Sequence, residues 1–544
     1  MVSAEESAGG PRHRLAGAGL GRHALAEPVF AWLAAAAFYV GLYGQLPYHD
    51  VFRFIAQIDS NQFVWDMGHV WLQPVTLLWH RYLGFGESAE QSQKHINTVF
   101  AAAGVAVFYA SLMKFEIPAW RRIVATALVA ASCNILTLAP TGHMKLLAFP
   151  FLTAGFYYAV AWERAERKSN SDLIRAGILM ALAACFHSSV LAAPPFIGLV
   201  ILVSSLRAGD GWLKGIMRAV LFGAVCGFLF LALLEIARLA FFGQFLNWSD
   251  FTATVGDKDD LRTGWFSWSD TLGRMLFGTV NNFIAAPDMG PVLRAWIAGQ
   301  IPSLKPYAGE LIEQTIPWLG TLALLAGIYL RAAYFGLRGK PMLMPLAFIL
   351  GALAWNGFFN INEPEHWFHL TVPTVALFLF VFPGRFGAIV LPVWAAVTIA
   401  LNLALWALPE ARYPLNQYQA ELRQEFTDKD LLLYFTTYGG GPNLSFFQLA
   451  TPTLPIDQLY ENKPDADAFY ASVEAQTQLA FARGGRVIVF QALDPQNWNA
   501  PWMILTRAGM PKAKLVGFFD SQYRVEPMGD IAEMKAWQLL PKQQ

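Results

Sequence analysis

Long apolar stretches bounded by charge or by Pro and Gly recur along the chain, near 28–46, 96–113, 123–140, 146–162, 174–187, 190–206, 219–243, 314–330, 342–358, 367–383 and 387–408. As helices, runs of about 17–25 residues match the hydrocarbon thickness of a bilayer. The pattern predicts eleven crossings. The fifth and sixth share about 33 residues, which leaves a re-entrant hairpin or a tilted, broken pair open beside two full passes. No repeat of solenoid period and no clear inverted repeat is visible.

Between and after these runs the pattern changes. Segments 47–95 and 244–313 are long, aromatic and partly amphipathic, as in Phe63-Val64-Trp65 and Trp265-Phe266-Ser267-Trp268, and read as helices lying at the membrane interface. After about 409 there are strand-like runs at Leu431–Phe435, Arg486–Phe490 and Lys514–Phe519, with a helical stretch across 465–483. Gly439-Gly440-Gly441 lacks dinucleotide-binding spacing and reads as a turn. The predicted fold is an all-α polytopic membrane bundle with a small C-terminal α/β domain. Its parts are an N-terminal tail over 1–27, a membrane module over 28–408 and an extracytoplasmic domain over 409–544.

Composition agrees with that division. Of 544 residues 55% are apolar and only 14% charged, which excludes a soluble globular chain. The 39 basic and 39 acidic side chains cancel, so no net field recommends nucleic acid as a partner. Their distribution is informative. One set of connections holds Arg12, Arg14, Arg22, Lys114, Arg121, Arg122, Arg164, Arg167, Lys168, Arg175, Arg207, Lys214, Arg218, Arg331, Arg338, Lys340 and Arg385, whereas the short opposite turns 141–145, 188–189 and 359–366 hold only Lys145. Basic flanks resist translocation, which predicts a cytoplasmic N-terminus and an outer C-terminal domain. The polar continuation Tyr48-His49-Asp50 favours an uncleaved anchor over a signal peptide. The Ala/Gly-rich sequence suggests a bacterial inner membrane. Cys133, Cys185 and Cys226 lie in apolar runs and read as small core residues.

Ionisable groups are costly in hydrocarbon, so their placement at the outer edge points to chemistry. The predicted topology brings several parts of the chain to that boundary: His49, Asp50, Arg53, Asp66 and His69; His143 and Lys145; His187; Arg262; and Glu363, Glu365, His366 and His369. Asp50, just past the first run, suits a general base for a hydroxyl nucleophile, or a helix cap or ion pair with Arg53. Asp66 and His69, three apart, share a face if helical, as a carboxylate–imidazole site or a local cap. His143 and Lys145 are placed to neutralise a phosphate near the headgroups, against which stands a snorkelling lysine. His187 is either a turn histidine or a substrate contact. Arg262 is a candidate for a phosphate or pyrophosphate. Glu363-Pro364-Glu365-His366 opens a helix whose N-terminus suits an anion, and a divalent cation is conceivable at the acidic pair.

With an anchored first helix, His49-Asp50 opening a long outer loop that contains Asp66-Met67-Gly68-His69, and an outer C-terminal domain after eleven spans, the layout resembles the GT-C glycosyltransferases. It is similar in arrangement to protein O-mannosyltransferases and aminoarabinose transferases. The resemblance implies transfer of a sugar, with inversion, from a polyprenyl-phosphate donor in the membrane lipids to a hydroxyl of a glycan, lipid or protein acceptor. It implies Asp50 as base, with His143, Lys145 and His366 toward the phosphate and Asp66 in place of the second acidic motif of some members. A transporter or flippase is the alternative, for which Glu235 and Arg238, spaced as a helical ion pair, speak weakly. A non-catalytic assembly protein presenting the outer domain is a third.

Overall fold

The computed structural model describes residues 22–44, 55, 58, 69–247, 268–284, 296, 299, 302–358, 367–412, 415–435, 449–456, 459, 465–494 and 510–542. The helical part comprises α1 (Arg22–Val40), α2 (Leu72–Leu83), α3 (Ala89–Lys114), α4 (Ala119–Ala130), α5 (Cys133–Thr141), α6 (Phe149–Arg164), α7 (Asn170–Phe186), α8 (Ala193–Arg207) and α9 (Trp212–Phe242). It continues with α10 (Trp268–Asn281), α11 (Ala308–Leu337), α12 (Leu343–Phe358), α13 (Phe368–Val381), α14 (Arg385–Asn402), α15 (Leu408–Arg412) and α16 (Leu415–Glu425). Each predicted apolar run lies at least in part on a helix, that at 123–140 on two, but fewer than the eleven predicted crossings qualify as spans by length and composition. Among the described residues five helices are long and apolar enough to cross a membrane, or six if α4 and α5, bent by 61° at their break, form one span. Apolar side chains on the bundle's outside, such as Phe228 and Leu330, are more than 70% exposed, as expected for an integral membrane protein whose solvent is lipid.

The break between α4 and α5 is held by polar groups buried in an otherwise apolar core. The Asn134 side chain bonds Ser132 and Thr371, Thr371 donates to Asn282, and Asn402 donates to the carbonyls of Ala131 and Phe283. The chain after α10 also offers the carbonyls of Phe283 and Asn282 to the N–H groups of Cys133 and Asn134. These first-turn donors of α5 have no partner within their own helix, and in hydrocarbon each would cost several kcal/mol if left unpaired. The three cysteines are free and buried.

The C-terminal part is a five-stranded mixed sheet, β1 (Leu431–Tyr434), β2 (Thr453–Pro455), β3 (Val487–Phe490), β4 (Tyr523–Ile531) and β5 (Met534–Pro541), in the order β2-β1-β3-β5-β4. The first three strands are parallel, and β5 is antiparallel to both neighbours. Helices α17 (Ala466–Ala482) and α18 (Lys512–Gln522) cover one face through Phe469, Val473, Leu515 and Phe519, and α16 covers the other through Tyr418 and Leu422, with Phe426 just after it. The runs at 431–435 and 486–490 are strands and 465–483 is helical, as predicted. Lys514–Phe519 is not a strand but the middle of α18: Pro511 precedes it, and Leu515 and Phe519, one helical turn apart, both point into the core. Gly439–Gly441 lies outside the described residues.

Candidate active site

The turns of the bundle fall into two sets joined by their own contacts. At one end Arg121 donates to the carbonyls of Phe382 and Gly384, Arg207 to that of Gly336, and Arg331 to that of Val381. The buried Glu163 accepts the N–H groups of Leu343 and Met344, capping α12 from a neighbouring helix. This is the basic end. At the other end Lys94 donates to the carbonyl of Gly44, Gln93 to that of Gly142, and the N–H of Trp71 to that of Cys185.

That second end is built from two similar elbows. Residues 143–150 and 187–194 share the pattern His-x-x-[Leu/Val]-Leu-Ala-x-Pro. In each a helix stops, a histidine takes an extended conformation, one 3₁₀ turn follows (Met144–Ala148 and Ser188–Ala192), and proline enters the first turn of the next helix. Proline fits there because its missing N–H would have no helical partner. Gly142, at φ +79°, makes the left-handed exit from α5 that a side chain would disfavour.

The second elbow carries the densest polar cluster. The imidazole of His187 caps its own 3₁₀ turn, accepting the N–H of Ser189 at 3.2 Å, and Ser189 Oγ is hydrogen-bonded to the same Nδ1. Ser189 Oγ also lies 3.3 Å from Nε2 of His369, in the first turn of α13. On the other side His69 Nδ1 is 3.0 Å from the carbonyl of Phe186, and its ring stands edge-on to His187 at 5.1 Å. Phe368 walls the cluster, and Gly278 of α10 is set against the ring of the adjacent Trp367, where a Cβ would come within 2.0 Å of the indole. Among the described residues no three His, Cys, Asp or Glu side chains are arranged to hold a metal ion.

Of the predicted site residues, His69 and His187 come together here. His143 and Lys145 lie in the first elbow, both almost fully buried. His69 stands in the turn before α2. His49, Asp50, Arg53, Asp66, Arg262, Glu363 and His366 lie outside the described residues. Glu235 and Arg238 serve the end of α9, Glu235 accepting the N–H of Leu246 and Arg238 bonding Gln244 and covering the Phe242 ring.

Sequence reading did not single out Ser189, which partners His187 across the elbow. It also passed over Lys94, whose Nζ lies 2.5 Å from Glu90 and 2.8 Å from the Gly44 carbonyl. Residues 89–95, placed by sequence in the interfacial segment, instead form the first turns of α3, started by the Ser88 cap. The signal was Ser88 followed three residues later by Gln91, an N-terminus signature. For the elbows the signal was the duplicated motif itself.

A shallow apolar groove of about 480 Å³ begins two residues past Ser189, at Leu191, and runs between α8 and α9 along Pro194, Gly198, Gly223 and Gly227.

No family model and no curated protein matches the chain. Among solved structures, the crystal structure of ArnT from Cupriavidus metallidurans bound to undecaprenyl phosphate is similar over 96% of this chain and 98% of that one, at 10% identity and a TM-score of 0.46. The apo-state crystal structure of the same protein is similar over 95% and 98%, at 11% identity and a TM-score of 0.46. At these values the likeness spans both chains but carries neither residue roles nor an activity across to this one.

Proposed function

We propose that the chain is a membrane glycosyltransferase of GT-C type, transferring a sugar from a polyprenyl-phosphate donor to a hydroxyl of an extracytoplasmic acceptor. The observation that carries this reading is the polar cluster of His69, His187, Ser189 and His369, three separated chain segments gathered at one end of a lipid-embedded bundle beside a groove leading down into the apolar region. A donor with an isoprenoid tail can move only within the bilayer, so its phosphate must meet the water-borne acceptor at such an edge. In this reading the tail lies along α8 and α9, and the phosphate sits at the elbows near Lys145 and His187. Asp50 takes the acceptor proton, and attack opposite the phosphate inverts the anomeric centre. The histidine end then faces outward and the basic end the cytoplasm.

The transporter alternative calls for discontinuous helices with charged groups at mid-membrane. The α4–α5 break is discontinuous, but the side chains named there are Asn, Ser and Thr, which favours transfer over transport.

Purified protein in nanodiscs, given radiolabelled polyprenyl-phosphate sugars and cell-envelope acceptors, should transfer label. Asp50→Asn should lower the rate by about 10²–10⁴. No transfer from any donor, or full transfer by Asp50→Asn, would count against the reading.

A further inference from the structure

Hydrogen-bond donors and acceptors in the second elbow fix which nitrogens carry protons. A backbone N–H can only donate, so the Ser189 N–H pointing at Nδ1 of His187 makes that nitrogen an acceptor and leaves the ring's proton on Nε2. A carbonyl can only accept, so His69 holds its proton on Nδ1, toward Phe186. Ser189 Oγ stands between two imidazoles: its hydroxyl donates to the occupied acceptor His187 Nδ1, and its lone pair is left to take Nε2–H of His369 at 3.3 Å. The order His369 Nε2–H, Ser189 O–H, His187 Nδ1 is a one-directional hydrogen-bonded chain. The first elbow has Lys145 at the position of Ser189, and its histidine makes no such cap.

We propose that Ser189 is a positioning residue that ties His187 to His369 and keeps the His187 proton on Nε2, where it is a hydrogen-bond donor. Ser189 Oγ, held by His369 Nε2–H, keeps Nδ1 occupied as an acceptor, so Nε2–H is the group His187 can offer to an acceptor oxygen. Resting on the glycosyl-transfer reading, the acceptor oxygen is that of the leaving lipid phosphate. The bond from the anomeric carbon to the phosphate oxygen breaks as the bond to the acceptor hydroxyl forms. Titratable groups against this turn include His69 and His369, with Cys185 two residues before His187 in the chain.

The test uses the full-length chain in nanodiscs with ¹⁵N-labelled histidine. In the wild type the His187 signals should show a bare Nδ1 and a protonated Nε2, and His369→Gln should shift them. Ser189→Ala should abolish that response and Ser189→Thr should keep it. In transfer assays Ser189→Ala should lower kcat by about tenfold to a hundredfold with KM nearly unchanged, and Ser189→Thr should rescue it. A protonated Nδ1 on wild-type His187, or a response to His369→Gln that survives Ser189→Ala, overturns the positioning role, and the first of these needs no variant to fold. Absence of transfer by the wild type would sink the glycosyltransferase reading while the NMR coupling still decides the role of Ser189.

Discussion

The two ends of the bundle use polar side chains in different ways. At the basic end, guanidinium and carboxylate groups finish helices: Arg121, Arg207 and Arg331 take terminal carbonyls, and Glu163 takes the first N–H groups of α12. Arg207, Arg331 and Glu163 each have the sign that the dipole of the helix end they bond favours. At the histidine end the polar side chains bond one another across elements, as Ser189 does to His369, and most belong to residues whose charge depends on the site. Charges that complete a helix are structural; groups that meet around a turn beside a lipid-facing groove are available for chemistry.

This contrast breaks if function and stability do not separate. The largest effect is expected at the histidine end: His187→Ala should lower the specific activity of the folded fraction by about 10²–10⁴, beyond the loss of about 1–3 kcal/mol of stability that goes with the cap on the Ser189 N–H. Equal loss in both, by activity and melting assays, would erase the distinction. At the basic end Glu163→Ala strands two buried N–H donors and should destabilise by about 2–4 kcal/mol, read as a lower Tm in detergent, with the surviving folded fraction keeping its specific activity. Gly278→Ala sharpens the comparison, because its added methyl pushes on Trp367 beside Phe368 and His369. It should cost about 1–3 kcal/mol and reduce transfer as well, tying packing to chemistry at this end only.

The sheet supplies a reference remote from the elbows. Burial lowers the Lys512 amine to about 8, from a reference near 10.4, even though its ammonium donates to the carbonyl of Asp494. The charged form is the one folding disfavours, so the sheet gains stability as pH rises from about 8 toward 10 and is without that gain below 8. Lys512→Met should flatten the dependence of unfolding on pH across that window, with no change in transfer; an unchanged slope would contradict it. At low pH Asp430 acts in the same direction, adding stability as pH rises. Burial acts to raise its carboxyl, but the N–H groups of Thr427 and Arg486 and the Arg486 guanidinium outweigh it and hold it below the usual carboxylate range. Its contribution is present above about pH 4 and is lost as pH falls through the folded value.

Much of the bundle was legible because lipid imposes one strong rule, that apolar runs become helices, and the runs near 28–46 through 387–408 obey it. The sheet was only half legible. Leu431–Tyr434 and Val487–Phe490 are continuous apolar strands buried on both faces, but β4 and β5 alternate weakly, and α18 hides a helical spacing within a β-rich composition. In the site, His69 and His187 were found because charge-capable residues are conspicuous in an apolar chain. Ser189 was not, since a serine's role depends on what lies across from it, and that partner, His369, is 180 residues further along the chain.

The central claim is that the histidine end is where a lipid phosphate binds. A polyprenyl phosphate bearing a photoreactive group near its phosphate, irradiated with the full chain in nanodiscs and mapped by peptide mass spectrometry, tests it directly. The account predicts adducts on the elbows, within 143–150 and 187–198, and none at the turns that hold Arg207, Gly336 and Phe382. Adducts concentrated at those basic turns, or spread evenly over both ends, would contradict it.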